Sequence, residues 1–247
     1  MSRSIGHTII SVRSTESTNN YATSQVRENE TEEGTVFLAY EQTSGRGHLA
    51  NKWESEPGKN LTFSIFMRPF FLPLDKTYAL SKVVCLGLES CLSRLVDGVR
   101  IKWPNDIYVG DRKICGILIE NGIMNGQICQ SVIGIGLNVN QKQFFSDAPN
   151  PVSLAILTGE EFQLDEILDE LLKQIDFYYQ WLVDGQYQQL DELFLRKLYR
   201  FGEWHSFQDE EHRYVGKIVG INEIGQLRIQ EQDGPIHDYH FKEVGYL

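Results

Sequence analysis

Gly45-Arg46-Gly47 follows Gln42-Thr43-Ser44 and precedes His48. Glycines let a backbone come close to an anion and present its N–H groups to it, and an arginine between them adds a fixed fork of donors suited to a carboxylate or phosphate. The segment fits neither the Walker pattern nor the dinucleotide fingerprint, and such a tripeptide standing alone is more often a surface turn. A second segment, Lys102-Trp103-Pro104-Asn105-Asp106, sets proline after a bulky aromatic and then an amide and a carboxylate. That order makes a rigid turn holding polar groups at a strand end, where a metal ion or a ribose could be met. Asp111-Arg112-Lys113 opens the next run, whose apolar residues Ile114, Ile117 and Ile119 imply burial. A lysine there needs an anionic partner or a lowered pKa, unless it snorkels its ammonium to the surface.

Ile133-Gly134-Ile135-Gly136-Leu137-Asn138 alternates glycine with aliphatic residues. Glycine weakens a strand, so two of them imply the close approach of a ligand or a neighbouring element, or else a bulge. Glu16-Ser17-Thr18-Asn19-Asn20 offers hydroxyls and amides that either meet a polar ligand or cap a helix. The four cysteines, Cys85, Cys91, Cys115 and Cys129, form no C-x-x-C pair and read as core thiols. With no charged and then apolar leader at the start, they place the protein in a reducing cytoplasm.

These residues need elements to hold them. The chain has 247 residues, 41% hydrophobic and 11% aromatic, enough for one sizeable core and a small second one. Against 34 Asp and Glu stand 23 Lys and Arg, a formal net charge of -11, which argues against a nucleic-acid surface and leaves any phosphate chemistry to a few local cations. The apolar runs are short; 65–74 contains Arg68 and two prolines, so no membrane span is expected. Short β-branched and aromatic runs predict strands at 7–12, 36–40, 61–66, 99–103, 106–109, 113–120 and 130–139. Three-four spacing predicts helices over 77–96, behind an Asp75 and Thr77 start signal, and over 164–182. From Gly202 the pattern changes to alternating strands at 203–207, 213–221, 226–231 and 236–241. The plan is α+β, a mixed or antiparallel sheet with packed helices over 1–200, followed by a small barrel-like β domain over 201–247.

Taken together, the segments resemble the biotin protein ligases, which attach biotin to a carrier lysine. The likeness runs from Ser17-Thr18-Asn19 through Gln42, Gly45-Arg46-Gly47 and Lys52-Trp53. It continues through Lys102-Trp103-Pro104-Asn105-Asp106, Asp111-Arg112-Lys113 and Gly116 to Gly134-Ile135-Gly136-Leu137-Asn138. The tail, with Gly225-Gln226-Leu227 and Glu231-Gln232-Asp233-Gly234, is similar to the family's SH3-like C-terminal domain. The resemblance implies a class II synthetase-like catalytic domain that joins biotin's carboxylate to the α-phosphate of ATP and then passes biotin to a lysine of a biotin carboxyl carrier protein. It assigns Lys113 and Arg46 to catalysis. Biotin falls to Ser17, Thr18, Asn19, Gln42, Arg46, Gly47, His48, Lys113, Gly116, Gly134 and Gly136. The nucleotide falls to Arg46, Trp53, Lys102, Asn105, Lys113 and Asn138, and magnesium to Asp106. Family members occur as monomers or as dimers joined through an exposed sheet edge, so a homodimer stays open.

Two departures stand out. The family's best-known bacterial loop reads Gly-Arg-Gly-Arg-Arg-Gly, whereas here Gly47 is followed by His48, Leu49 and Ala50. A histidine is mostly neutral near pH 7, so the expected consequence is looser retention of the adenylate; a release rate equal to that of a His48→Arg variant would refute this. Some members also carry an N-terminal helix-turn-helix, and about six residues before the first strand leave no room for one, so no DNA-binding role is expected. Two rival readings remain, a lipoate ligase or lipoyl transferase, and a biotin-binding protein without catalysis. The Gly45-Arg46-Gly47 loop beside Lys102-Trp103-Pro104-Asn105-Asp106 speaks against the first, and the joint presence of Arg46, Lys113 and Asp106 against the second.

Overall fold

A computed structural model describes residues 4–47, 52–146 and 150–247. Strand β1 (Ile9–Thr15) leads through helix α1 (Thr18–Glu28) into β2 (Val36–Gln42). A two-residue ribbon, β3 (Gly45–Arg46) with β4 (Lys52–Trp53), precedes β5 (Leu61–Met67). Helix α2 (Tyr78–Leu92) is followed by β6 (Val99–Lys102), β7 (Asp106–Val109), β8 (Arg112–Met124) and β9 (Gln127–Leu137). Three helices come next, α3 (Leu154–Thr158), α4 (Leu164–Val183) and α5 (Tyr187–Lys197). The chain ends in β10 (Trp204–Gln208), β11 (Arg213–Ile221), β12 (Leu227–Glu231), β13 (Ile236–Tyr239) and β14 (Gly245–Tyr246).

The larger sheet has seven strands in the order β1-β2-β5-β9-β8-β7-β6, and the five C-terminal strands form a second sheet in the order β13-β12-β11-β10-β14. The second sheet is antiparallel throughout. In the larger sheet β1 and β2 run parallel and every other neighbour is antiparallel, the mixed arrangement expected. The parallel pair needs a crossover, and α1 supplies it.

Side-chain alternation divides the large sheet into two faces. Val36, Ile65 and Ile133 point into the main core with Leu80 and Leu88 of α2 and Leu171 and Leu172 of α4. Their neighbours Phe37, Phe66 and Val132 point the other way and pack on Ala22 of α1. A fully buried Phe contributes roughly 1.5–3 kcal/mol, so Phe37 and Phe66 hold much of this smaller layer. The α1 face continues along β5, β9 and β8 as two cross-strand rows. One is Ser64, Gly134 and Leu118; the next is Thr62, Gly136 and Gly116, extended by Asp106 and Lys102. On this face the glycines leave backbone uncovered.

Three helical details differ from the sequence reading. Helix α2 stops at Leu92 instead of 96, because Leu95 and Val96 both donate their N–H to Leu92 O in a tightening turn that leads to Gly98 at φ +77°. Thr77 holds the N-cap position without capping, and its hydroxyl bonds Leu74 O instead. Helix α5 was not expected, since only Leu190 and Phe194 of its 11 residues are buried. The cysteines are free and Cys85, Cys91 and Cys115 lie in the core, where burial pushes the Cys91 thiol up to about 12. Among the described residues no helix is long and apolar enough to cross a membrane.

Candidate functional site

The glycine rows form the floor of a cavity, and the elements around them raise its walls. Gly116, Gly134 and Gly136 lie at the bottom; Ser17, Thr18, Asn19 and Gln42 close one end; Arg46, Gly47, Trp53, Asn105, Asp106 and Lys113 line the rest. Thirteen of the residues assigned from sequence thus meet around one space. Its volume is about 100 Å³, small beside the roughly 300–1,000 Å³ of sites that take a drug-sized ligand. The difference lies with Trp53, whose indole lies flat on the floor. A Cβ added at Gly136 would come within 2.5 Å of Trp53 Nε1, and one at Gly116 would lie 3.0 Å from its Cζ3. The surface expected to carry a flat ligand therefore carries the ribbon's own aromatic ring. Trp53 Nε1 is buried without a hydrogen-bond acceptor.

The polar end is built by α1. Ser17 occupies the N-cap position with extended backbone, yet its hydroxyl makes no capping bond. The Thr18 N–H instead donates to Gln42 Oε1 at 2.9 Å, so a side chain from β2 satisfies one of the helix's orphan donors. Ser17 thus holds the cap position without capping, and the residue lines the cavity wall. Ser64, fully buried on β5, bonds Thr18 Oγ1 at 2.8 Å and Asn19 Oδ1 at 2.7 Å. Asn19 is 2% exposed, and its Nδ2 donates to Leu118 O at 3.2 Å and to Glu120 Oε2 at 2.7 Å. A buried amide with this many partners has a fixed orientation.

The charged end contains two ion pairs. Lys113 Nζ lies 2.7 Å from Asp106 Oδ1 with both side chains about one quarter exposed, so the lysine has the anionic partner that its position demanded. Its ammonium also stands 5.8 Å from the Trp53 ring centre. Arg46 Nη2 lies 2.8 Å from Glu120 Oε2. The turn carrying Asp106 is stitched to β8 from both sides of Asn105. Asn105 Nδ2 donates to Ile117 O, and the Ile117 N–H donates to Asn105 O at 3.1 Å. Next to Trp53, Glu54 accepts the Phe145 and Ser146 N–H groups; burial alone would raise its pKa, and bonds from Ser146 and Phe145 outweigh that and lower it.

Two of the assigned residues are not in the cavity wall. Lys102 belongs to the same cross-strand row, next to Asp106, but its Nζ bonds Tyr108 Oη at 3.2 Å and lies over the Tyr108 and Tyr246 rings at 4.5 and 4.8 Å. Burial is the main cause that holds its pKa below the ordinary lysine value. Asn138 sits just past β9, donating Nδ2 to Val152 O at 3.1 Å, while its buried Oδ1 receives no hydrogen bond. His48 lies outside the described residues. The structure adds residues to which the sequence reading gave no role. Lys52 and Phe241 line the cavity, the second arriving from beyond β13. Glu120 and Ser64 join its polar groups to one another. Ser64 and Glu120 carry the alternation of their strands, the one available signal; nothing in the sequence pairs Phe241 with this site.

Comparisons with known proteins find relatives in both sequence and fold. Residues 11–138, more than half of the chain, match the Biotin/lipoate A/B protein ligase family. The bifunctional ligase/repressor BirA of Bacillus spizizenii is 28% identical over 219 residues, which are 85% of this chain and 66% of that protein. The chain thus spans just under two thirds of that relative. The biotin--[acetyl-CoA-carboxylase] ligase of Paracoccus denitrificans is 28% identical over 205 residues, 80% of this chain and 84% of that protein. Among solved structures, the biotin protein ligase of Aquifex aeolicus in complex with biotin and ATP superposes with a TM-score of 0.79 at 26% identity, covering 97% of this chain and 98% of that one.

Proposed function

The chain belongs to the Biotin/lipoate A/B protein ligase family, and from that premise we propose that it is a biotin protein ligase, which activates biotin with ATP and transfers it to a lysine of a biotin carboxyl carrier protein or domain. The observation that carries this reading is a single cavity with hydroxyls and amides at one end, Arg46 and Lys113 at the other, and a glycine floor under the Trp53 indole between them. A ureido ring presents two N–H donors and one carbonyl, which Ser17, Thr18, Asn19 and Gln42 can answer. A lipoyl dithiolane offers no N–H or carbonyl and would gain no hydrogen bond from these groups.

In the first step a carboxylate oxygen of biotin attacks the α-phosphorus of ATP, and the bond to the departing pyrophosphate breaks. Both reactants are anions, and two unit charges 4 Å apart repel by about 4 kcal/mol at an effective dielectric of 20. Lys113, Arg46 and the Gly45–Gly47 backbone are placed to offset that repulsion as charge gathers in the transition state. In the second step a neutral lysine ε-amine attacks the acyl carbon, AMP leaves and the nitrogen sheds a proton. No side chain forms a covalent intermediate. Among the described residues no three His, Cys, Asp or Glu side chains gather as a metal cage. Asp106, a hard carboxylate donor on the cavity wall, would hold a magnesium ion, which would neutralise phosphate charge. Separate strand orders support residues 1–200 as the catalytic unit and 201–247 as an SH3-like appendage.

The test is incubation with biotin, ATP and magnesium, with pyrophosphate and carrier biotinylation as the products measured. Absence of both, with a carrier present, rejects the ligase reading; activity with lipoate in place of biotin would reassign the substrate.

A further inference from the structure

Glu120 lies on β8 opposite Val132, two residues past Leu118, so alternation puts it on the cavity face at the rim. One carboxylate there meets both ends of the site. Its Oε2 accepts from Asn19 Nδ2 at 2.7 Å and from Arg46 Nη2 at 2.8 Å, and its Oε1 accepts from the same Nη2 at 3.1 Å. We infer that Glu120 is a positioning residue, fixing which face of the Asn19 amide looks into the cavity and where the Arg46 guanidinium stands. This rests on the biotin ligase reading and adds to it a residue that touches neither substrate.

The two effects follow from donor and acceptor counts. Both amide protons of Asn19 are engaged, one by Glu120 and one by Leu118 O. Its Oδ1 is thereby turned toward Ser64 Oγ and the floor, where a Cβ at Gly134 would lie 2.9 Å from Asn19 Cγ. Rotated by half a turn, the amide would set its oxygen against the Glu120 carboxylate and its NH₂ where a ureido N–H needs an acceptor. Arg46 stands on a ribbon with two residues per strand. Its hydrogen bonds among the described residues all go to Glu120 and use one nitrogen. The remaining donors of the fork stay available for an anion. Binding end and reacting end are thus set by a single side chain. The pair is about two-fifths exposed on both sides, so it contributes little to global stability and its loss is read in function.

The experiment compares Glu120→Gln and Glu120→Ala in the whole protein, measuring the biotin dissociation constant and kcat for biotin-dependent pyrophosphate release. Glutamine still accepts from Asn19 but carries no charge for Arg46. It should keep the biotin dissociation constant within about threefold while kcat falls about tenfold. Alanine should show the same fall in kcat and weaken biotin about tenfold as well. In an Arg46→Ala background, Glu120→Gln should lower kcat no further. The inference is overturned if Glu120→Gln leaves kcat within twofold, or if its loss is undiminished without Arg46. A parent protein that releases no pyrophosphate with biotin overturns instead the ligase reading on which the inference stands.

Discussion

Gly134 and Gly136 occupy equivalent places two residues apart, and each is required by a different neighbour. At Gly134 the obstacle is the Asn19 amide; at Gly136 it is the Trp53 indole. Gly134→Ala should therefore push Asn19 off its bonds to Ser64 and Glu120 and raise the biotin dissociation constant about tenfold, equal to about 1.4 kcal/mol. Calorimetric titration checks this, and unchanged affinity would mean that Asn19 has room to retreat. Lys113→Ala removes a cation held 2.7 Å from Asp106 at the reacting end. Adenylate formation should fall by at least about 10²-fold, with circular dichroism unaltered; retained activity would free Lys113 from its assigned role. The sequence pointed to a close approach or a bulge at these glycines, and to an anionic partner or a lowered pKa for Lys113 unless it snorkels. It could not say which groups, because Asn19 reaches Gly134 through the packing of α1 on the sheet and Asp106 reaches Lys113 through strand pairing, not through spacing along the chain.

At the scale of elements, strands of four residues or more were legible, and two-residue strands and lightly buried helices were not. Strands β2, β5, β8 and β9 and helices α2 and α4 carry runs of residues now in the main core. Helix α1 shows in sequence only as a cap signal, because its packing is confined to the layer around Ala22. The β3–β4 ribbon has two residues per strand, too few for any period. In the smaller sheet, the turn between β10 and β11 is tied by Asp209. Its carboxylate accepts the His212 and Glu211 N–H groups, each at 2.9 Å, and the Tyr239 hydroxyl at 3.0 Å. Those bonds, the His212 N–H first, hold its pKa below the usual 3.8. A lowered folded-state pKa stabilises above the unfolded value and is lost as pH falls through the folded one. The melting temperature of Asp209→Asn should thus lie below that of the parent at pH 7, and the gap should close as pH drops below about 3.8. A gap that stays constant with pH would remove the carboxylate from this account.

The whole molecule carries a net charge of -11 while gathering Arg46, Lys52 and Lys113 around one cavity. On the proposed function, phosphate chemistry in this acidic protein would be local, confined to cations that pair with Glu120 and Asp106. Long-range attraction of an acidic carrier is not available to such a surface, and charges further apart than about 8 Å are screened at physiological ionic strength. The rate of carrier biotinylation should therefore change by less than about threefold between low and physiological salt; a steep fall would place a steering field on the surface.

The four tryptophans are spread over four parts of the architecture. Trp53 lies on the cavity floor, 5.8 Å from the Lys113 ammonium. Trp103 spans the seam between the sheets, donating to Gly225 O at 2.9 Å. Trp181 meets Phe177 at a tilt and Tyr178 edge-on in α4, and Trp204 on β10 is half exposed beneath Lys217. The molecule's ultraviolet emission is accordingly a sum of four local signals. A ligand titration is reported by the first indole, opening of the seam by the second, and melting of the helical layer and of the smaller sheet by the other two, with no added dye.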